Sequence, residues 1–211
     1  MKKILLLIAV FSLLLIPSNV FAETTVTGLK EAVEEEIQLF GSAEGYEEGV
    51  QQLKDIDLSG YSENDDKVNV YLFRGSTCSH CFNAVLYFAS IAGESGKYFN
   101  LKSYEVWNNT ENSELMEKVG AKLNDEVSGV PYIVVGDKSW SGFADSYGEE
   151  ILSKIKSEYE KPADERTDIV KDIVSGTTSD SSSNDVIALL IILLVTGAIV
   201  AGIVVTRKKA S

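Results

Sequence analysis

Two cysteines and one histidine are the residues whose types and spacing indicate chemistry. Cys78 and Cys81 are the only cysteines in the chain, and His80, the only histidine, lies between them. Cysteines three positions apart at the start of a helix bring their sulfurs close enough to form a small disulfide ring, which thiol exchange can open again. The segment therefore predicts thiol–disulfide chemistry that needs no metal and no organic cofactor, only the Cys78–Cys81 disulfide.

The predicted position of this tetrad favours a thiolate at Cys78, the more exposed of the two sulfurs. The apolar residues 68–73 predict a strand, residues 74–77 a turn, and the next residues a helix that opens on Cys78. Unpaired backbone N–H groups and the helix dipole lower the pKa of a thiol there from its ordinary value of about 8.5. Protonated His80 would add to this effect. Because a stabilised thiolate stabilises the reduced protein, such a disulfide is an oxidant.

The residue types leave two other uses of the cysteines open. A structural zinc site takes four ligands, so Cys78, Cys81 and His80 would need carboxylates or a second chain to complete one. A permanent structural disulfide is the second alternative. A ring closed between residues three apart constrains little of the unfolded chain, so it would contribute little to stability.

A second motif lies further along the chain. Residues 129–143 begin with Gly-Val130-Pro131 and continue with an apolar run, a Gly-Asp turn and a second strand pattern. A strand, a Cys-x-x-Cys tetrad, a helix and then a Val-Pro hairpin resemble the thioredoxin superfamily over residues 67–161. The resemblance implies an α/β, thioredoxin-like fold, in which a central mixed sheet is flanked by helices. It also implies a cis peptide bond before Pro131, in a loop that lies beside the sulfurs.

Within that superfamily, His80 and Val130 most resemble the disulfide-introducing oxidases of the DsbA type. Ser79 departs from that pattern, because those oxidases usually carry proline there. Leu72 and Thr77 stand where thioredoxins carry a buried acid and a tryptophan. The resemblance implies that this acid accepts the proton of the second cysteine, and the sequence identifies no replacement for it. The comparison therefore favours an oxidase over a thioredoxin-like reductase.

The resemblance also implies a role for each candidate site residue. Cys78 would be the sulfur that exchanges with the substrate, Cys81 would resolve the mixed disulfide, and His80 would tune the thiolate. Pro131 would bend its loop toward the sulfurs and leave the backbone of Val130 to pair with an extended substrate segment.

Composition and charge narrow the class of partner. The chain of 211 residues has a net charge of −13, and all 32 acidic residues lie within residues 23–185. An acidic surface repels phosphate backbones, which argues against a nucleic-acid partner. The same repulsion acts between this surface and anionic lipid headgroups.

The two ends of the chain predict an extracytoplasmic, membrane-anchored protein. Residues 1–22 have the charged, apolar and small-residue regions of a secretory signal peptide, with an uncleaved anchor as the alternative. Residues 162–185 form an extension and a Ser-rich linker. Residues 186–206 carry no charge and are long enough to cross a bilayer once. The basic residues 207–211 place the C-terminus in the cytoplasm.

Apolar periodicity predicts the remaining elements. Helices are expected in the acidic extension, residues 23–66, over residues 29–40 and 46–56. Further helices are expected over residues 111–123 and 147–159, with a helical continuation through residues 161–176. Alternation over residues 99–107 predicts a second strand.

These features together predict a thiol–disulfide oxidoreductase in the cell envelope. Its partners would be thiol- or disulfide-containing proteins outside the cytoplasm, and a membrane or extracytoplasmic protein that recycles the cysteine pair. A dedicated thiol reductase, for instance in cytochrome maturation, remains open. So does a non-catalytic binding module whose disulfide is structural.

Overall fold

The computed structural model describes residues 26–176, so the predicted signal peptide and membrane anchor lie outside the described residues. Six α-helices and four strands are present in this part of the chain. They are, in order, α1 (Leu29–Phe40), α2 (Glu47–Asp55), β1 (Val68–Arg74), α3 (Ser79–Ser95), β2 (Phe99–Glu105), α4 (Thr110–Leu123), β3 (Tyr132–Val135), β4 (Lys138–Ser141), α5 (Asp145–Tyr159) and α6 (Ile169–Val174). Within residues 26–176, no helix combines the length and apolar character needed to cross a membrane.

The four strands form one mixed sheet in the order β2-β1-β3-β4. β1 and β2 are parallel, whereas β3 is antiparallel to both β1 and β4. The hairpin between β3 and β4 turns at Gly136, whose φ of +63° is the left-handed conformation that glycine adopts readily. This α/β architecture and the predicted strand-helix-strand-helix-hairpin-helix order are compatible with a thioredoxin-like fold.

The central strand and the helix after it form the middle of the hydrophobic core. β1 is buried along almost its whole length, as expected for an interior strand. α1 contacts α3 through Phe40, whose ring centre lies 5.0 Å from that of Phe82, the residue after Cys81. The two helices predicted in the acidic N-terminal extension are therefore present, and α1 packs directly beside the cysteine helix.

Two predicted element boundaries are wrong. β2 ends at Glu105 rather than Trp107, because the Glu105 carboxylate accepts hydrogen bonds from the backbone N–H groups of Trp107 and Asn108 at 3.0 and 2.9 Å. α5 ends at Tyr159 and does not continue through residues 161–176. Pro162 follows, and a short 3-10 helix covers Ala163–Glu165.

The chain divides into two compact units after Asp168. The first contains the sheet and the helices α1 to α5. The described part of the second contains α6, a helix of six residues that falls within the predicted helical continuation.

Candidate active site

Cys78 caps the N-terminus of α3, as the sequence predicts. Its backbone is extended, and its sulfur lies 3.2 Å from the backbone nitrogen of Cys81, which donates to it. The two sulfurs are bonded to each other, and the Cα atoms are 5.1 Å apart. Since the first N–H groups of a helix have no partner within the helix, the Cys78 sulfur satisfies one of them. The same N–H group would stabilise a thiolate at Cys78 after reduction.

The two cysteines differ in exposure. Cys78 retains 8 % of its surface exposed, whereas Cys81 is completely buried. Both residues are buried by the fold, and Cys78 is the more accessible of the two.

The Val130–Pro131 peptide bond is cis, as the resemblance implies. The carbonyl oxygen of Val130 lies 3.8 Å from the Cys78 sulfur, and the carbonyl of Pro131 accepts a 2.7 Å hydrogen bond from the nitrogen of Gly142. Strand pairing with β1 begins only at Tyr132. Val130 is thus held next to the sulfur but outside the sheet ladder. The fold therefore brings the Cys78–Cys81 tetrad next to the Val130–Pro131 motif, although the two are far apart in the sequence.

His80 lies on the first turn of α3, and its side chain is exposed to solvent. Its effect on the sulfurs remains a prediction. Two aromatic residues of the hairpin, Tyr132 and Trp140, are buried. The Tyr132 hydroxyl donates to Asp125 at 3.1 Å, and the Trp140 indole N–H donates to Glu150 at 3.4 Å.

Glu105, which the sequence did not single out, holds the turn that carries Cys78. One of its carboxylate oxygens accepts a 3.2 Å hydrogen bond from the backbone N–H of Ser76, in addition to those from residues 107 and 108. The nitrogen of Cys78 donates to the carbonyl of Gly75 at 3.3 Å and closes the turn. One carboxylate therefore links the connection after β1 to the connection after β2.

A buried ionic cluster lies beneath this turn. Arg74, the last residue of β1, is 2 % exposed and donates to Ser103 at 2.9 Å, to Glu36 at 3.3 Å and to Glu35. Glu36 is fully buried on α1, and burial raises the pKa of its carboxyl to about 8. Burial also lowers the pKa of Arg74.

The cluster brings a buried acid to the central strand from another element. Leu72 occupies the position that carries the acid in thioredoxins, and Glu36 of α1 contacts Arg74 two residues further along the same strand. A signal was present in the sequence, since Glu36 falls between Val33 and Phe40 at the spacing of a buried helix face. It did not single out Glu36, because several neighbouring positions of the helix are acidic as well.

Within residues 26–176, no group of three or more His, Cys, Asp or Glu side chains is arranged to hold a metal ion. Comparison of the chain with protein-family models, with curated proteins and with solved structures found no match. The arguments about its activity therefore depend on the geometry of this site.

Proposed function

We propose that the protein is a thiol–disulfide oxidoreductase, tethered to the membrane with its catalytic domain outside the cytoplasm, and that it acts as an oxidase of secreted or envelope proteins. One observation carries the proposal. A disulfide caps a helix, its outer cysteine retains 8 % of its surface while its inner cysteine is completely buried, and the Val130 carbonyl of the cis-proline loop lies 3.8 Å from the outer sulfur. A disulfide that served only to stabilise the fold would not need this asymmetry.

The exchange proceeds through a mixed disulfide. A substrate thiolate attacks the Cys78 sulfur, the Cys78–Cys81 bond breaks, and Cys81 leaves as a thiolate that takes up a proton. A second substrate thiolate then attacks the substrate sulfur bonded to Cys78 and releases the Cys78 thiolate. The substrate has lost two electrons and two protons and gained a disulfide, while the protein has gained the two electrons.

Two backbone groups support the proposed exchange, one by stabilising the Cys78 thiolate and one by pairing with the substrate. The N–H of Cys81 faces the Cys78 sulfur and stabilises it as a leaving thiolate, which makes the oxidised protein the more reactive form. The carbonyl of Val130, held outside the ladder by the cis bond, is placed to accept a hydrogen bond from an extended substrate segment. Pro131 fixes that carbonyl, and His80 adds positive charge when protonated.

The location and partners follow from the predicted signal peptide and anchor. Disulfide formation requires an oxidising compartment, and secreted proteins supply the pairs of thiols. A membrane or extracytoplasmic redox protein would then reoxidise Cys78 and Cys81, so no bound cofactor is required.

Separate cysteine variants test the exchange. In Cys78→Ala, we expect oxidation of a reduced model protein to fall to the uncatalysed rate. In Cys81→Ala, the free Cys78 thiolate attacks the disulfide of an oxidised model protein and the mixed disulfide cannot be resolved internally, so we expect protein–substrate adducts that thiol reductants release. The rate of thiol loss measures the first outcome, and mass spectrometry of the trapped adducts measures the second. Adducts as abundant in Cys78→Ala as in Cys81→Ala would show that the cysteines have no separate roles.

The reduction potential of the pair separates the oxidase from the reductase. An oxidase predicts a value near that of DsbA, about −120 mV, and a reductase predicts one near that of thioredoxin, about −270 mV. Equilibration with glutathione buffers gives the value. A reduction potential near about −270 mV would indicate a reductase rather than an oxidase. A pair that does not exchange at all would indicate a structural disulfide.

A further inference from the structure

Trp107 is exposed beside the candidate active site and has no role in the exchange described above. It lies in the connection between β2 and α4, with 55 % of its surface open to solvent. Among residues 26–176, it is the one exposed aromatic side chain, since the tyrosines, the phenylalanines and Trp140 are buried or half-buried. Large exposed aromatics are enriched where proteins bind partners.

The indole of Trp107 rests on the turn that carries Cys78. A Cβ atom built on Gly75 would lie 2.2 Å from Cε2 of the indole, so the ring covers the position where Gly75 lacks a side chain. Because the Cys78 nitrogen bonds to the Gly75 carbonyl, the Cα atoms of these two residues lie within about 7 Å of each other. The backbone of Trp107 is held by its hydrogen bond to Glu105. The exposed ring is therefore fixed close to the reactive sulfur.

The strand order places Trp107 and Pro131 on opposite sides of Cys78. The connection with Trp107 follows β2, the turn with Cys78 follows β1, and Pro131 precedes β3, in a sheet ordered β2-β1-β3. All three segments lie at the same edge of the sheet. Since neighbouring strands are about 4.8 Å apart, each outer segment lies about 5 Å from the segment with Cys78, the length of one to two residues of extended chain.

This edge of the sheet is acidic. Residues 75–83, 105–114 and 124–131 contain no lysine or arginine. Their acidic residues are Glu105, Glu111, Glu114, Asp125 and Glu126, of which Glu114 pairs with Lys118 at 3.7 Å. His80 is the one side chain in these segments that can become positive, so the net charge is negative in either state of His80. Arg74, at the end of β1, is buried and paired with Glu35 and Glu36. An approaching cationic segment would therefore meet negative charge and an aromatic face together.

We propose that Trp107 and the acidic residues around it bind an extended, cysteine-containing substrate segment with a lysine or arginine one or two residues from the cysteine. The substrate cysteine meets Cys78, the backbone on one side pairs at Val130, and the cationic side chain on the other side lies on the indole face. A cation over a tryptophan ring is attracted by the electron density of the ring. This inference names the substrate class of the proposed oxidase and rests on that function.

The test measures one exchange step at Cys78. In the full-length Cys81→Ala chain, Cys78 is loaded with 5-thio-2-nitrobenzoate as a mixed disulfide. A peptide thiolate that attacks the Cys78 sulfur releases one coloured thiolate for each protein–peptide disulfide formed. Two extended peptides with a single cysteine are compared, one with lysine and one with glutamate two residues away. Each rate is divided by the rate of the same peptide with the free aromatic disulfide, which corrects for its thiol pKa.

We expect the lysine peptide to react at least tenfold faster than the glutamate peptide at low salt, and the ratio to shrink as salt screens the charges. The ratio should fall to about twofold in Trp107→Ala, because the charged surface remains but the aromatic face is lost. Trp107→Phe, which keeps an aromatic face, should give a ratio between those of Trp107→Ala and the parent chain. Gly75→Ala, which displaces the ring without removing it, should lower the ratio as well.

Charge variants provide a matched pair. Glu111→Gln removes an acid in the first turn of α4, at the sulfur edge, and should lower the ratio. Glu94→Gln removes an exposed acid near the end of α3, about 25 Å from Cys78 at 1.5 Å per residue, and should leave the ratio unchanged. A ratio near one in the parent chain, or an unchanged ratio in Trp107→Ala, would overturn the inference alone. Failure of every thiol to displace the aromatic group would overturn the proposed exchange and the inference together.

Discussion

Two glutamates, Glu36 and Glu158, are completely buried at opposite ends of the sheet, and their electrostatic settings are opposite. Glu36 contacts Arg74 at the edge that carries the sulfurs. Glu158 lies under the β3–β4 turn at the other edge, where its carboxylate is 3.1 Å from the position that a Cβ of Gly136 would occupy.

The negative charge of the buried Glu158 carboxylate is balanced by two lysines and a backbone N–H group. It accepts hydrogen bonds from the ammonium groups of Lys154 at 2.7 Å and Lys161 at 2.8 Å, and from the nitrogen of Thr167 at 3.3 Å. Burial by itself would raise the pKa of Glu158, but these three donors more than offset it, and the pKa is lowered. The ionised form is therefore the stable one in the fold.

The carboxylate of Glu36 is only partly compensated. Arg74 reaches one oxygen, and Arg74 also binds Glu35, while the Oε2 atom of Glu36 has no hydrogen-bond partner within residues 26–176. Burial accordingly raises its pKa. The comparison teaches that one edge of the sheet is stabilised by a satisfied ionic network. The sulfur edge instead contains a buried carboxyl group, that of Glu36, with only one of its two oxygens hydrogen-bonded.

The largest effect should come from removing the cation of the sulfur edge. We expect Arg74→Met to lower the free energy of unfolding at pH 9 by about 3 kcal/mol, because Glu36 is ionised above its pKa of about 8, stays buried and loses the partner it shares with Glu35. Urea denaturation measures the change. The double variant Arg74→Met, Glu36→Gln should recover part of it, and a single variant as stable as the parent would show that the cluster is not coupled.

A smaller effect is expected at the satisfied edge. Glu158→Gln should lower the free energy of unfolding at pH 7 by about 2 kcal/mol, since charge-assisted hydrogen bonds are lost but both lysines can reach water. Because the folded-state pKa of Glu158 is below the ordinary value of 4.5, the parent chain has this stabilisation above that value and loses it as the pH falls further. The difference between variant and parent should therefore shrink in acid.

Glu160→Gln, which changes an exposed acid two residues further along, is the matched control. It should change stability by less than about 0.5 kcal/mol. Equal losses in the two variants would mean that burial and the lysine network at Glu158 contribute nothing.

The third effect is a change in pH dependence at Glu36. Its pKa rises from 4.5 when unfolded to about 8 when folded, so the stabilisation it provides in acid is lost as the pH rises through that interval. Glu36→Gln cannot lose a proton, so we expect its stability relative to that of the parent chain to increase by roughly 3 kcal/mol between pH 5 and pH 8. Thermal unfolding across this range tests the sign. A gain at acid pH instead would place the Glu36 pKa below its ordinary value.

Much of the fold was predictable because its signals are local. Apolar spacing identified α1 over its full length and the hairpin of β3 and β4, and three-residue spacing identified the disulfide of Cys78 and Cys81. The boundary of β2 was missed, because a side chain, Glu105, captured the backbone groups that would have continued the strand. A carboxylate that competes with a neighbouring strand for backbone N–H groups does not change the spacing of apolar residues. Hydrophobic periodicity therefore cannot reveal it.

The sequence by itself determined the cysteine pair, its place at a helix start and the Val130–Pro131 hairpin, since each depends on neighbours within a few positions. Only the tertiary structure decided that Glu36 supplies a buried acid from another helix and that Trp107 covers Gly75. These contacts depend on the order of strands in the sheet. That order results from packing between residues distant along the chain, which no local pattern encodes.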